Sequence, residues 1–427
     1  MIEKWDIGES TEVISVPLNA WPLRGIAPGP NKGGAITVEF FKLYNKLPKQ
    51  QALQVSYVAF SYMVLFSGYY YIHSFTSVIF KLSFIGFALQ YFFYALASLL
   101  GPSFGRRFGL KLIIILSSFG YLLYCGSIIS GIEIFYLIST SIVGICAGFI
   151  WLQQGIFITE VANRIQNDEE VGGALSGLFY GIFNFCFVFG NLISLIVFVT
   201  GVQVFIIQWI MFAVCCIGVV MLFFISINEP AKETHTLFFS HFKDRVKAVL
   251  TIVLVKGYWL IIPSIIFQSA QISITYQVMP RMIASSSITI LYHIIAFIFY
   301  GIGSMLSSFL VGKIFDKSYI IAWIIMSFCE LSSGILIFCI HLMPIEVWIC
   351  IGFLRGSSDY TLTTIISAIG IKYFKQHSTP YFASYRLIYC ICYVPLSIMT
   401  GYVSFYVNII LCFSLWLISS ICFVFIK

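Results

Sequence analysis

The sequence predicts an all-α membrane protein of about twelve spanning helices arranged as two six-helix halves. Three observations predict it: a greasy composition with little charge, a series of apolar runs of spanning length, and a one-sided distribution of the basic residues.

Hydrophobic residues make up 60% of the 427-residue chain and charged residues only 10%. Soluble domains carry about 25% charge, so this chain cannot clothe a soluble surface. Aromatic residues at 18% fit helices in contact with lipid. The net charge of +7 does not point to nucleic acid, because the basic residues are scattered between apolar runs and acids interrupt any basic stripe. All twelve cysteines, among them Cys125, Cys146, Cys186, Cys215, Cys216 and Cys412, lie inside apolar runs. That is neither a disulfide framework nor metal-ligand spacing, and buried thiols acting as small hydrophobes are expected.

The first 50 residues carry Glu3, Asp6, Glu9 and Glu12 among Pro and Gly, with no apolar core of a cleavable signal. Residues 1–50 are read as a cytosolic tail, of which about 36–50 are mildly amphipathic. A span needs about 20 apolar residues. By that ruler the runs fall at 53–76, 82–100, 110–130, 134–158, 173–199, 203–227, 257–279, 286–312, 319–341, 345–370, 380–402 and 405–426. Breaks are expected at Gly101-Pro102, Gly131, Gly201, Asn228-Glu229-Pro230, Pro280-Arg281, Pro344 and Pro380.

Sidedness supports the even count. With the N-terminus in the cytosol, that side collects Arg106, Arg107, Lys111, Arg164, the cluster Lys232 to Lys256, Lys313, Lys317, Lys372, Lys375 and Lys427. The opposite side receives Lys81 and Arg281. Positive charge marks the cytosolic loops, so both termini are expected there. The halves are 51–227 and 257–427, joined by a polar linker, 228–256. Its segment FFSHFKDRVKAVL has one charged and one apolar face, as an interfacial helix does.

The halves share a turn. GPSFGRRFGLK (Gly101–Lys111) follows the second run and GKIFDKS (Gly312–Ser318) follows the eighth. Six helices, a linker and six more with a matching turn describe the major facilitator architecture, which places substrate between duplicated halves. In the second copy Gly312, Asp316 and Lys317 form the gating turn. Gly312 joins helices tightly, Asp316 is expected to cap the start of the next helix, and Lys317 holds the loop inside. The first copy has Gly105 where that motif expects an acid.

Four segments resemble the Unc-93-like family of the major facilitator superfamily. The fourth run reads GFIWLQQGIFITE, similar to the family's Trp-x-x-Gln-Gly pattern. The fifth ends its pattern in Gly190-Asn191, the tenth carries Gly356 and Asp359, and the eleventh carries Phe382, Ala383 and Arg386. The family often has an Asn after that Asp; here Thr361, Thr363 and Thr364 occupy the stretch. The resemblance implies a twelve-helix facilitator fold. It implies either transport of an ion or solute, or regulation of potassium channels and receptors.

Charged groups in mid-membrane cost about 2.5–3.5 kcal/mol, so they face a cavity or a partner. Asp359 lies near the middle of the tenth helix with Arg355 one turn earlier, able to pair within the helix. Asp359 is read as a proton or cation site or as half of a static pair. Arg386 is read as snorkelling to the cytosolic surface, or as an anion-binding or gating group. Glu330 is read as a buried, hydrogen-bonded acid or a titrating one. Among neutral groups, Trp151, Gln153 and Gln154 lie in the fourth helix, Asn184 and Asn191 share a face of the fifth, and Gln268 and Gln271 lie in the seventh. Facilitators line their cavity with helices one, four, seven and ten, so Gln154, Gln268, Gln271 and Asp359 are expected to converge. Tyr69, Tyr70, Tyr71 and His73 read as an aromatic belt at the membrane boundary, and His293 as a buried, bonded histidine or a proton relay.

No nucleophile–base pair, phosphate loop or metal cluster appears, so neither an enzyme nor a cofactor is expected. The expected partners are the bilayer and a small solute or ion. The alternative is a regulatory subunit or chaperone that partners a membrane channel or receptor.

Overall fold

The long helices form in the order the apolar runs dictate, twelve of them among the described residues. In the computed structural model, residues 47–165, 171–226, 235–255, 257–280 and 287–425 are described. The spans are α1 (Lys49–Ser74), α2 (Ser83–Phe108), α3 (Leu110–Ser130), α4 (Glu133–Arg164), α5 (Val171–Phe183, resuming as Phe185–Val199) and α6 (Val204–Phe223). The second half has α7 (Tyr258–Ser273, continuing through the π-helical turn Ile274–Val278), α8 (Ser287–Lys317), α9 (Tyr319–Phe338), α10 (Val347–Tyr373), α11 (Ser378–Tyr402) and α12 (Phe405–Val424). Between the halves a connecting helix, His235–Thr251, packs against α2 and α11. Residues 1–46, 228–234, Lys256, Arg281 and Lys427 of the expected tail, linker and loops lie outside the described residues.

Among the described residues nine helices are long and apolar enough to cross a membrane by length and composition, and α7 adds a tenth when joined to the connecting helix. The two that fall short, α1 and α10, are long enough but rich in Tyr, Ser, Thr and charge. Polar spanning helices belong inside a bundle, where neighbours satisfy them. Large apolar side chains such as Leu116, Phe223, Phe328 and Leu417 stand exposed on the outer helices, as contact with lipid requires.

The duplication is visible in the packing. In the first half α1 packs on α5 and α6, α2 on α4, and α3 on α4 and α6. Six helices later the same pairs recur: α7 on α11 and α12, α8 on α10, and α9 on α10 and α12. The halves meet through α2 against α11 and α5 against α8, which are again counterparts.

Two turn assignments change. The α2 helix does not break at Gly101-Pro102 but runs on to Phe108, and α8 runs on to Lys317. The apolar run ends at the membrane edge, whereas the backbone hydrogen bonding continues into the charged residues beyond it. The chain turns at Gly109, whose φ of +89° suits glycine. Pro380 sits in the first turn of α11, where no intrahelical N–H is needed, consistent with the break expected before that run.

Candidate functional site

Three polar assemblies stand out among the described residues. The first is a central cavity of about 90 Å³ between the halves. It is lined by α1 (Phe66, Tyr69, Tyr70, His73), α2 (Gln90, Tyr91, Tyr94) and α4 (Trp151), and across the interface by α7 (Gln268, Tyr276), α10 (Tyr360, Thr363) and α11 (Arg386, Tyr389). That volume holds several waters or one small solute. Tyr69, Tyr70 and His73 therefore do not form a boundary belt; α1 turns them inward. His73 Nδ1 lies 2.8 Å from the Tyr124 hydroxyl, and Tyr69 accepts from Gln90 Nε2 at 3.1 Å.

Arg386 is the cation of this cavity. It does not snorkel: its side chain is 7% exposed and lies over the rings of Tyr385 and Trp151, 4.6 and 5.5 Å from their centroids. Its Nη1 reaches the Tyr385 hydroxyl at 3.5 Å, and that hydroxyl donates to Gln268 Oε1 at 2.8 Å. Gln268 Nε2 in turn donates to Thr363 at 2.7 Å.

The second assembly is a charge cluster inside the C-terminal half. Arg355 of α10 is 1% exposed and donates from Nη1 to Glu330 of α9 at 2.6 Å. Its Nη2 donates to the Gln271 carbonyl at 2.8 Å and its Nε to the Thr275 hydroxyl at 3.2 Å. Asp359 is its weaker partner at 3.6 Å, held instead by the hydroxyls of Thr275 (2.9 Å) and Tyr300 (3.0 Å). Gln271 Nε2 and the Ser358 hydroxyl each donate to Glu330 Oε2 at 2.8 Å. The π-helical turn begins at Ile274, beside the Gln271 carbonyl that Arg355 engages; such turns accompany functional sites. The cluster thus holds one guanidinium between two carboxylates in the interior of the C-terminal half.

The third assembly is a latch between the halves at the ends of α5 and α8. Asp316 does not cap α9; Ser318 does, accepting from the Ile321 amide at 3.5 Å. The Asp316 carboxylate instead accepts from the Gly173 and Ala174 amides of α5, at 3.0 and 2.9 Å. The first amides of a helix lack intrahelical partners and its N-terminus favours negative charge. Gly312 makes the approach possible: a Cβ there would sit 2.6 Å from the Gly173 carbonyl oxygen and 2.8 Å from Gly177 Cα. In the other half Gly105 faces Gln153, whose Nε2 donates to the Gly101 carbonyl at 3.2 Å. An amide thus fills the space where the first copy lacks its acid.

The residues singled out from the sequence fall into these separate places. Trp151, Gln268 and Arg386 line the cavity, whereas Asp359, Arg355 and Gln271 form the C-terminal cluster with Glu330. Gln154 is buried but is not part of the cavity wall. Asn184 sits at the break in α5 and donates to the Ser304 carbonyl and Ser308 hydroxyl of α8, pinning the halves together. His293 lies buried with Nε2 3.4 Å from the Ser74 hydroxyl. Sequence reasoning missed the cavity tyrosines Tyr91, Tyr94, Tyr276, Tyr360 and Tyr389. Their signal was the repeated Tyr inside apolar runs, each bringing a hydroxyl that needs a partner.

The profile of the family described as ion channel regulatory protein UNC-93 matches residues 74–346, more than half of the chain. The chain belongs to the UNC-93 family. In this UNC-93 protein the matched span includes Asp316 and Glu330 but stops before α10, so Asp359 and Arg386 lie beyond it. Among solved structures the chain is similar to the major facilitator proton:xylose symporter XylE bound to 6-bromo-6-deoxy-D-glucose. The TM-score is 0.61 with 13% identity, covering 88% of this chain and 94% of that one. At that identity the likeness carries the fold alone. No curated protein matches the sequence significantly. The UNC-93 chain is thus an integral, multi-pass membrane protein of major facilitator fold.

Proposed function

We propose that this UNC-93 protein is a carrier that moves a small solute through the central cavity by rocking of its halves. The observation that carries this is the cavity itself. It lies between duplicated halves, and both halves contribute polar groups to its wall. The contacts between halves are of a kind that can be exchanged. At one end Asp316 holds two helix-end amides, and at the other Ser397 of α11 donates to the Phe84 carbonyl of α2 at 3.1 Å. Breaking one set while keeping the other would open the cavity to one face at a time, which is how paired-half carriers work. The charge cluster, one guanidinium between two carboxylates, is the coupling element in this reading. The termini are placed in the cytosol, following the basic turns at Arg106, Arg107, Lys313 and Lys317.

The test is whether the halves move. Spin labels at Thr200 and Leu342 report on one face of the two halves, and labels at Phe108 and Lys375 report on the other. A carrier gives two interchanging distances at each face, with one shortening as the other lengthens. A single fixed distance at both faces refutes it.

A second reading is favoured by the family's description as ion channel regulatory. In it the chain binds a channel through its lipid-facing helices and the cavity is static. Fixed distances, together with co-purification of a channel whose current changes on binding, would establish that reading in place of transport.

A further inference from the structure

We propose that the Arg386 cavity binds a small organic monocarboxylate. The inference starts from an uncompensated charge. Arg355 and Arg386 are both buried cations of the second half, yet their surroundings differ. Arg355 has two carboxylates, a carbonyl and a hydroxyl around it. Among the described residues Arg386 has no carboxylate partner; its one hydrogen bond is the long contact to Tyr385, and its Nε has none. The faces of Trp151 and Tyr385 offset part of the cost of burying the cation, but cation–π contacts do not replace a counter-charge.

Further groups of the same wall lack partners. The Tyr94 and Tyr276 hydroxyls make no hydrogen bond among the described residues, and neither does Gln90 Oε1. Both tyrosines and Gln90 line the same cavity as Arg386. A guanidinium with a free edge and two phenol donors are matched by an acceptor-rich anion. The planar fork of arginine favours a carboxylate, which it binds with two parallel bonds. The remaining wall mixes the flat faces of aromatic rings, Ile272 and Ala147 with His73, Gln268 and Thr363, which suits a short body behind the carboxylate. A cavity of about 90 Å³ restricts that body to a few carbons. A single cation in the wall selects one negative charge.

This inference deepens the carrier reading by naming its cargo, yet it is tested by binding alone, so the two can fail separately. The purified full-length chain in detergent is titrated calorimetrically with propionate, with its neutral isostere propionamide, and with chloride. The wild-type protein is expected to bind propionate, to ignore propionamide, and to bind chloride more weakly. Arg386→Gln is expected to weaken propionate binding by about tenfold or more, and Arg386→Lys by less, since it keeps the charge and loses the fork. Tyr94→Phe and Tyr276→Phe retain the ring and the fold, and each is expected to weaken binding by about three- to tenfold. These two variants keep the test open if Arg386→Gln does not fold. Equal binding of propionate and propionamide overturns the proposal, as does chloride binding as tight as propionate. Propionate affinity unchanged in both tyrosine variants, or no propionate binding by folded wild-type protein, also overturns it.

Discussion

Replacing Asp316 with Asn should loosen one end of the molecule selectively. The carboxylate accepts from the Gly173 and Ala174 amides at 3.0 and 2.9 Å and is itself 7% exposed. Hydrogen bonds to a buried charge are worth about 1.5–3 kcal/mol each, against about 1 kcal/mol for a neutral one. The side-chain amide of the Asp316→Asn variant keeps one acceptor oxygen but loses the second bond. It also loses the interaction with the helix N-terminus, itself worth up to about 2 kcal/mol. The loss is at least about 2 kcal/mol, which is about 30-fold in the opening equilibrium at this end. Hydrogen exchange read by mass spectrometry follows it directly, because these amides have Asp316 rather than their own helix as acceptor. The peptide covering Val171 to Gly177 should exchange about 30-fold faster in Asp316→Asn than in the wild type. Peptides from α3 should not change. Equal exchange of the α5 peptide in the two proteins would refute the latch.

Arg355→Met leaves Glu330 and Asp359 facing each other without their cation, and removing one member of a buried ion pair costs about 3–5 kcal/mol. The detergent-solubilised variant should melt well below the wild type, and the double variant with Glu330→Gln should recover part of the difference; a wild-type melting temperature for Arg355→Met would be inconsistent with the cluster. Gly312→Ala places a methyl against the Gly173 carbonyl and should cost about 1–3 kcal/mol through overpacking of the α5–α8 crossing. A stable Gly312→Ala protein with unaltered exchange at α5 would show that the crossing is looser than described. Asn184→Leu should weaken the same interface, since it removes both hydrogen bonds from α5 to Ser304 and Ser308 of α8, and a lower melting temperature tests it.

The membrane class and the helix order were legible in the sequence because hydrophobic runs and basic turns are both local signals. The run ending near residue 100 misplaced the end of α2, since hydropathy marks the edge of the lipid and not the end of the helix. Contacts across the bundle were harder to read. The i,i+4 spacing shows Asp359 beside Arg355, but the shorter ion pair is with Glu330, on a different helix. Asp316 reads as a cap for the helix that follows it, and nothing local reveals that an α5 terminus lies closer. Tyr69, Tyr70 and His73 illustrate the same limit: an aromatic cluster near a helix end looks alike whether it faces lipid headgroups or the cavity. Arg386 was visible as a charge, but its direction depends on Trp151 and Tyr385 forming the wall it stacks on.

Whether the halves carry a solute is decided most directly by counterflow. Proteoliposomes containing the purified chain are loaded with unlabelled propionate and diluted into a trace of labelled propionate. Transient accumulation of label inside the vesicles, absent from empty liposomes and lost in Arg386→Gln, is the expected result. Protein that binds propionate in detergent yet gives no accumulation above empty liposomes would contradict transport and leave a static binding site.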